Sequence, residues 1–213
     1  MDVRNIMPRR VAVWIAIFFS ADILSLVAYT VPSINILLLI FFAGGTLYLF
    51  VSDKRWLLFL PLTELLWGSF GSSFSWDIGG FRLSIRMLIF VLAIIVWLGS
   101  SGYRRSIAVM RRNKFISIFF ILLTAITAWG FFVGFISARP LSDVFFDGNA
   151  YLYLGYFPLW VYAYRHEDLP CVRALVVGAA VAISLKTLVL LNLFANGYEM
   201  WNLQYLYLWI RDT

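Results

Sequence analysis

Seven stretches of about twenty apolar residues, parted by short connections, run through this chain and leave few folds open to it. They are Val11–Val31, Ile34–Val51, Trp56–Phe74, Leu83–Gly99, Phe115–Ser137, Val144–Tyr164 and Leu169–Ala195. An α-helix needs ~20 residues to cross ~30 Å of hydrocarbon, and a helix satisfies its own backbone polar groups there. Composition closes the water-soluble alternative. Of 213 residues, 62% are hydrophobic and 13% charged, where a water-soluble domain averages about 25% charged. The expected fold class is therefore all-α: a polytopic transmembrane helix bundle of about seven spans over residues 1–195. The sixth stretch holds Gly148, Asn149, Gly155 and Pro158 and is the least regular, with loop or re-entrant backbone expected at its start. The first stretch lacks a small-x-small cleavage site and reads as a retained helix.

The connections orient the bundle. With the N-terminus in the cytoplasm, the inner side receives Arg4, Arg9, Arg10, Lys54, Arg55, Arg104, Arg105, Arg111, Arg112, Lys114, Arg165 and Arg173. The outer side receives only Arg82, Arg86, Arg139 and Arg211. Short cytoplasmic loops carry such an excess of Lys and Arg. It accounts for the net charge of +6 and leaves nucleic acid out of the expected partners. Membrane lipid is the expected surroundings, with the C-terminus outside.

The outer side then comprises the loops 71–82 and 139–143 and a tail, 196–213. In the tail, Leu203, Leu206 and Ile210 fall on one helical face, with Trp201, Tyr205 and Trp209 nearby. That pattern suits an interfacial helix along the outer leaflet. The tail is expected to lead into a further outer region.

Charged residues inside apolar runs are the first candidates for chemistry. Asp22, Glu64 and Lys186 lie at such positions, where an ionisable group is expensive and faces a cavity or a partner. Each could contact a proton or substrate; the blander reading is a hydrogen-bonded group fixing helix packing. Arg82 and Arg86 are four apart and would share one face of a helix. Two guanidiniums there can grip a phosphate or pyrophosphate, aided by a helix N-terminus, or anchor to lipid or pair with Asp77. Arg139 and Arg211 are further outer arginines. Asp143 and Asp147 could be partners of these arginines or metal ligands, but Asp-x3-Asp is a spacing common by chance. His166, the one histidine, lies on the inner side as a solvated loop residue, and the one cysteine, Cys171, reads as packing. Gly44-Gly45 and Gly130-x3-Gly134 look like helix-packing notches. No metal or cofactor is expected.

Three segments carry a family resemblance. Gly79-Gly-Phe-Arg-Leu-Ser-Ile-Arg-Met-Leu-Ile-Phe-Val-Leu resembles an early-span pattern of the bacterial O-antigen ligases and O-antigen polymerases, a short outer loop followed by an arginine-bearing start to an apolar helix. Asp143-Val-Phe-Phe-Asp-Gly-Asn-Ala-Tyr-Leu-Tyr-Leu-Gly-Tyr-Phe-Pro is similar to the family's Asp-containing entry into a span. Tyr205-Leu-Tyr-Leu-Trp-Ile-Arg-Asp-Thr resembles the start of its large periplasmic loop region. The resemblance implies a multi-pass bacterial inner-membrane protein of polysaccharide or lipopolysaccharide biosynthesis. Its glycosyltransferase-type reaction moves glycan from undecaprenyl pyrophosphate at the periplasmic face, without a metal. By the resemblance Arg211 matches an early periplasmic arginine, and Arg82 or Arg86 is expected to line the same anionic groove; Arg139 is a substrate-binding candidate by its outer position alone. Family members have about twice as many spans and a histidine in a later loop, so the chain is expected to be the N-terminal part, completed by a C-terminal half or by other polysaccharide assembly proteins. Two other functions stand against this one. The first is a transporter or export-channel component using Glu64, Asp22 and Lys186. The second is a non-catalytic membrane subunit of a polysaccharide assembly complex.

Overall fold

The computed structural model describes residues 3–67, 74–78, 81–100, 102–137, 151, 153–196, 204, 206, 208 and 209. The chain divides into two compact units, Met1–Leu92 with Arg165–Thr213, and Ala93–Tyr164.

In the first unit, α1 (Val3–Thr30) and α2 (Pro32–Ser52) are parted by one extended residue, Val31. Pro32 causes the break, because proline disfavours helical backbone in the residue before it and suits the first position of the next helix. Helix α3 (Trp56–Trp67) follows, and the last helix of the unit, Leu169–Ala195, is numbered α8 below. Phe18, Phe59, Leu175, Ala179 and Ala182 form a buried apolar core shared by α1, α3 and α8.

These three helices run parallel. Gly178 of α8 lies against Val11, Trp14 and Ile15 of α1, and farther along both helices Lys186 meets Asp22. At the start of α3, Arg55 pairs with Glu167 just before α8, at 2.6 Å. At its end Trp67 bonds to Asp22, at 3.1 Å. The α1–α8 approach is close because Ala174, Gly178 and Ala182, four residues apart and all buried, present small side chains along one stripe.

Between α3 and α4 (Ile85–Gly99) stands a two-stranded antiparallel hairpin, β1 (Ser75–Ile78) and β2 (Phe81–Ser84). It adds strand to the all-α expectation. Ahead of it Phe74 holds a φ of 50°, a backbone that bulky residues rarely take. Its buried ring packs between Phe42, at 5.1 Å, and Trp67, at 6.0 Å.

The second unit holds the end of α4, then α5 (Gly102–Arg112), α6 (Lys114–Ile136), a 3-10 turn (Tyr153–Gly155) and α7 (Tyr156–Ala163). Helix α5 packs on α7. The buried Ser106 hydroxyl donates to the Pro158 carbonyl at 2.7 Å and accepts from the Trp97 indole at 3.2 Å. None of the α6 side chains is buried.

Among the described residues, four helices are long and apolar enough to cross a membrane, or five if α4 and α5, bent by 88°, form one broken span. Their outward surfaces are apolar: Phe41, Phe115, Ile121, Ile126, Trp129 and Leu188 are all exposed. A surface of that kind suits lipid rather than water. Among the described residues, three of the seven expected runs hold shorter helices. Helix α3 (Trp56–Trp67) has 12 residues, α4 has 15 and α7 has 8. The expected notches at Gly44, Gly45 and Gly130 are corrected: a Cβ at each would meet nothing within 4 Å. Among the described residues the tight glycines are Gly178 and Gly102.

Candidate functional site

The charged residues inside the apolar helices of the first unit form two ion pairs, set on neighbouring turns of α3. Asp22 of α1 is the centre of the first. Its Oδ1 accepts from Lys186 Nζ of α8 at 2.9 Å and from the Trp67 indole of α3 at 3.1 Å. The Lys186 ammonium also lies 4.8 Å from the centroid of the Trp209 ring, a cation–π geometry. The buried Trp209 indole N–H donates to Ser25 Oγ at 3.0 Å, and Ser25 is one helical turn beyond Asp22. Lys186 is thus shared between a carboxylate and an aromatic face. It lies ~20 Å of helix rise beyond Arg173, deep within α8, and is paired rather than extended to the membrane surface.

Glu64 forms the second pair. It is 3% exposed, and its Oε1 accepts from Nε of Arg86, the second residue of α4. Glu64 Oε2 is also buried and has no hydrogen-bond partner among the described residues. Glu64 and Trp67 are three residues apart, so one face of α3 carries both contacts. Glu64 reaches α4, and Trp67 reaches the Asp22–Lys186 pair.

Local sequence explains where Arg86 stands. The Ser84 hydroxyl accepts from the Met87 backbone N–H at 3.4 Å, capping α4 as serine does at N-termini. The helix therefore begins at Ile85. The expectation that Arg82 and Arg86 share a helical face is corrected, because Arg82 belongs to β2, where Asp77 stands opposite it in register. The Ser84 cap breaks the helix between the two arginines.

The other expected residues fall elsewhere. Arg139, Arg211, Asp143 and Asp147 lie outside the described residues. His166 is exposed and Cys171 partly buried. No group of three or more His, Cys, Asp or Glu able to hold a metal occurs among the described residues. Near the start of α3 and α8, Arg55 pairs with Glu167 and lies 3.7 Å from the buried Asp168. Asp168 in turn accepts from the Arg165 backbone N–H at 3.2 Å.

Trp67, Ser25 and Gly178 were not singled out by sequence reasoning, and Trp209 was named only as an aromatic of the expected interfacial tail. The Ala-x3-Gly-x3-Ala spacing of 174–182 was the signal for Gly178. For Trp67 and Trp209 only the tendency of a buried indole to find a partner pointed that way. The chain matches no protein-family model, no curated protein and no solved structure.

Proposed function

We propose that this chain is a seven-span protein of the bacterial inner membrane, N-terminus in the cytoplasm, that engages undecaprenyl pyrophosphate-linked glycan at the periplasmic face as part of a polysaccharide ligase or polymerase. The observation that carries the reading is Arg86, fixed at Nε by the buried Glu64 at the start of α4. A guanidinium has five N–H donors, and a carboxylate at Nε sets its plane. A positioned guanidinium beside a hairpin bearing a second arginine suits a pyrophosphate, whose departure from the glycan requires fixed positive charge.

The direction of the helices supports an odd number of spans. Membrane-crossing helices that run parallel are separated by an odd number of crossings. Four spans, α1, α2, α6 and α8, would set α8 antiparallel to α1. An odd number of spans, five or seven, gives the parallel arrangement in which Asp22 meets Lys186 and Arg55 meets Glu167. The cytoplasmic N-terminus rests on the placement of the basic residues.

The Asp22–Lys186 pair favours a second reading, a transporter in which that pair opens during the cycle. Removing each pair as a unit separates the two, since no lone charge is left in the helices. In cells, the ligase or polymerase reading expects Glu64→Leu/Arg86→Met to abolish surface glycan and accumulate its lipid-linked donor, and Asp22→Asn/Lys186→Met to retain both functions. Loss of glycan export in the second variant alone favours transport. Full surface glycan in the first removes the leading reading.

A further inference from the structure

Helix α5 carries four arginines, Arg104, Arg105, Arg111 and Arg112, all exposed. At 100° per residue they share an arc of about a third of the helix circumference. Gly102 and Ser106 on the opposite face are buried. There a Cβ on Gly102 would fall 2.9 Å from the Tyr162 ring, and Ser106 bonds to Pro158. The arginine face therefore points away from α7, the helix that α5 packs on.

We propose that α5 is an interfacial helix whose arginine face docks the anionic phospholipid headgroups of the membrane that α6 enters. Connectivity sets its depth. One residue, Asn113, separates α5 from α6, which opens on exposed Lys114 and Phe115 and buries none of its apolar side chains in the protein. A helix one residue from such a span lies at headgroup level. The corner is held rigid: Asn113 Oδ1 accepts from the Ile116 N–H at 3.3 Å, and Ser117 Oγ donates to the Met110 carbonyl at 2.7 Å. The helix axis turns by 88° between α4 and α5, so α5 does not continue the direction of α4.

Chemistry selects lipid over a free anion or an acidic protein. Guanidinium forks match phosphate oxygens. The exposed Ile107 and Val109 flank the arginine arc on its two sides, where the boundary between headgroups and acyl chains would receive them.

The test uses the full chain in detergent micelles with equimolar phosphatidylglycerol and phosphatidylcholine, with retained lipid counted by native mass spectrometry. A basic residue near an anionic surface contributes roughly five-fold in binding. Arg104→Gln/Arg105→Gln/Arg111→Gln/Arg112→Gln is therefore expected to lower the selection for phosphatidylglycerol by more than about tenfold. Lysine at the same four positions is expected to keep most of it. Selection unchanged in the glutamine variant, or lost equally in both variants, overturns the proposal. Inorganic phosphate that displaces the lipid where chloride of equal ionic strength does not would show a free-phosphate site and also overturn it. If the glutamine variant does not fold, the wild-type chain decides: selection is expected to weaken as salt rises, and salt-insensitive selection contradicts headgroup docking.

Discussion

Lys186 of α8 meets Asp22 of α1 at 2.9 Å across two helices that run in the same direction. The pair ties the front of the chain to a helix more than 160 residues later, and Trp67 of α3 joins it on the same carboxylate oxygen. Removing one charge strands the other among apolar helices. Lys186→Met or Asp22→Asn alone is expected to lower unfolding free energy in detergent by on the order of 1–3 kcal/mol. The double variant is expected to lose less than the sum, by about 1 kcal/mol. Equilibrium unfolding in mixed micelles measures both, and strict additivity would mean that the two residues are not coupled.

The α1–α8 seam is a packing contact as well as an ionic one. A Cβ at Gly178 would lie 2.7 Å from Trp14 Cβ and 3.3 Å from the Val11 carbonyl oxygen, so the helices would have to separate. Gly178→Ala is expected to cost about 1–3 kcal/mol, as overpacking does. Gly44→Ala and Gly130→Ala place the new methyl in open space and are expected to be neutral or to stabilise by up to ~1 kcal/mol. The same unfolding measurement ranks the three variants, and an equal effect at all three would contradict the seam.

The helical membrane class was legible because apolar run length reports it directly, as in α6 and α8. The intramembrane candidates Asp22, Glu64 and Lys186 were legible because charge in an apolar run is costly. Their partners were not: no single-sequence pattern relates Asp22 to Lys186 or Glu64 to Arg86, because helix packing brings them together. The hairpin had a signal, two alternating runs separated by Gly79-Gly80, but the continuous apolar character on both sides masked it. The Ser84 cap then placed a helix start between Arg82 and Arg86, and the assumption of one uninterrupted helix failed there. Helix α5 was read only as a basic connection, since its arginine spacing had been used for orientation and not for periodicity.

Direction along the membrane gives a separate prediction. In a Cys171→Ser background, single cysteines replacing Arg10 or Glu167 are expected to react with a membrane-impermeant maleimide only in inverted vesicles. A cysteine replacing Asn196 is expected to react from outside in intact spheroplasts. Residues 167 and 196 flank α8, whose 27 residues give ~40 Å of rise. Labelling of both from one side would break the parallel arrangement of α1, α3 and α8 across the membrane.

Retention of undecaprenyl pyrophosphate by the purified full chain, compared between wild type and Glu64→Leu/Arg86→Met, tests the proposed function most directly. The double variant keeps the apolar packing and removes the positioned guanidinium together with its buried partner, so no lone charge remains. The four-glutamine variant of α5 serves as the control for general attraction of anionic lipid. Loss of a charge-assisted contact worth about 1.5–3 kcal/mol predicts at least about a tenfold drop in retention for the Glu64/Arg86 variant, with undecaprenyl pyrophosphate still held by the α5 variant. Equal retention by wild type and the Glu64/Arg86 variant, with both folded, would contradict the proposal that Arg86 engages the lipid-linked donor.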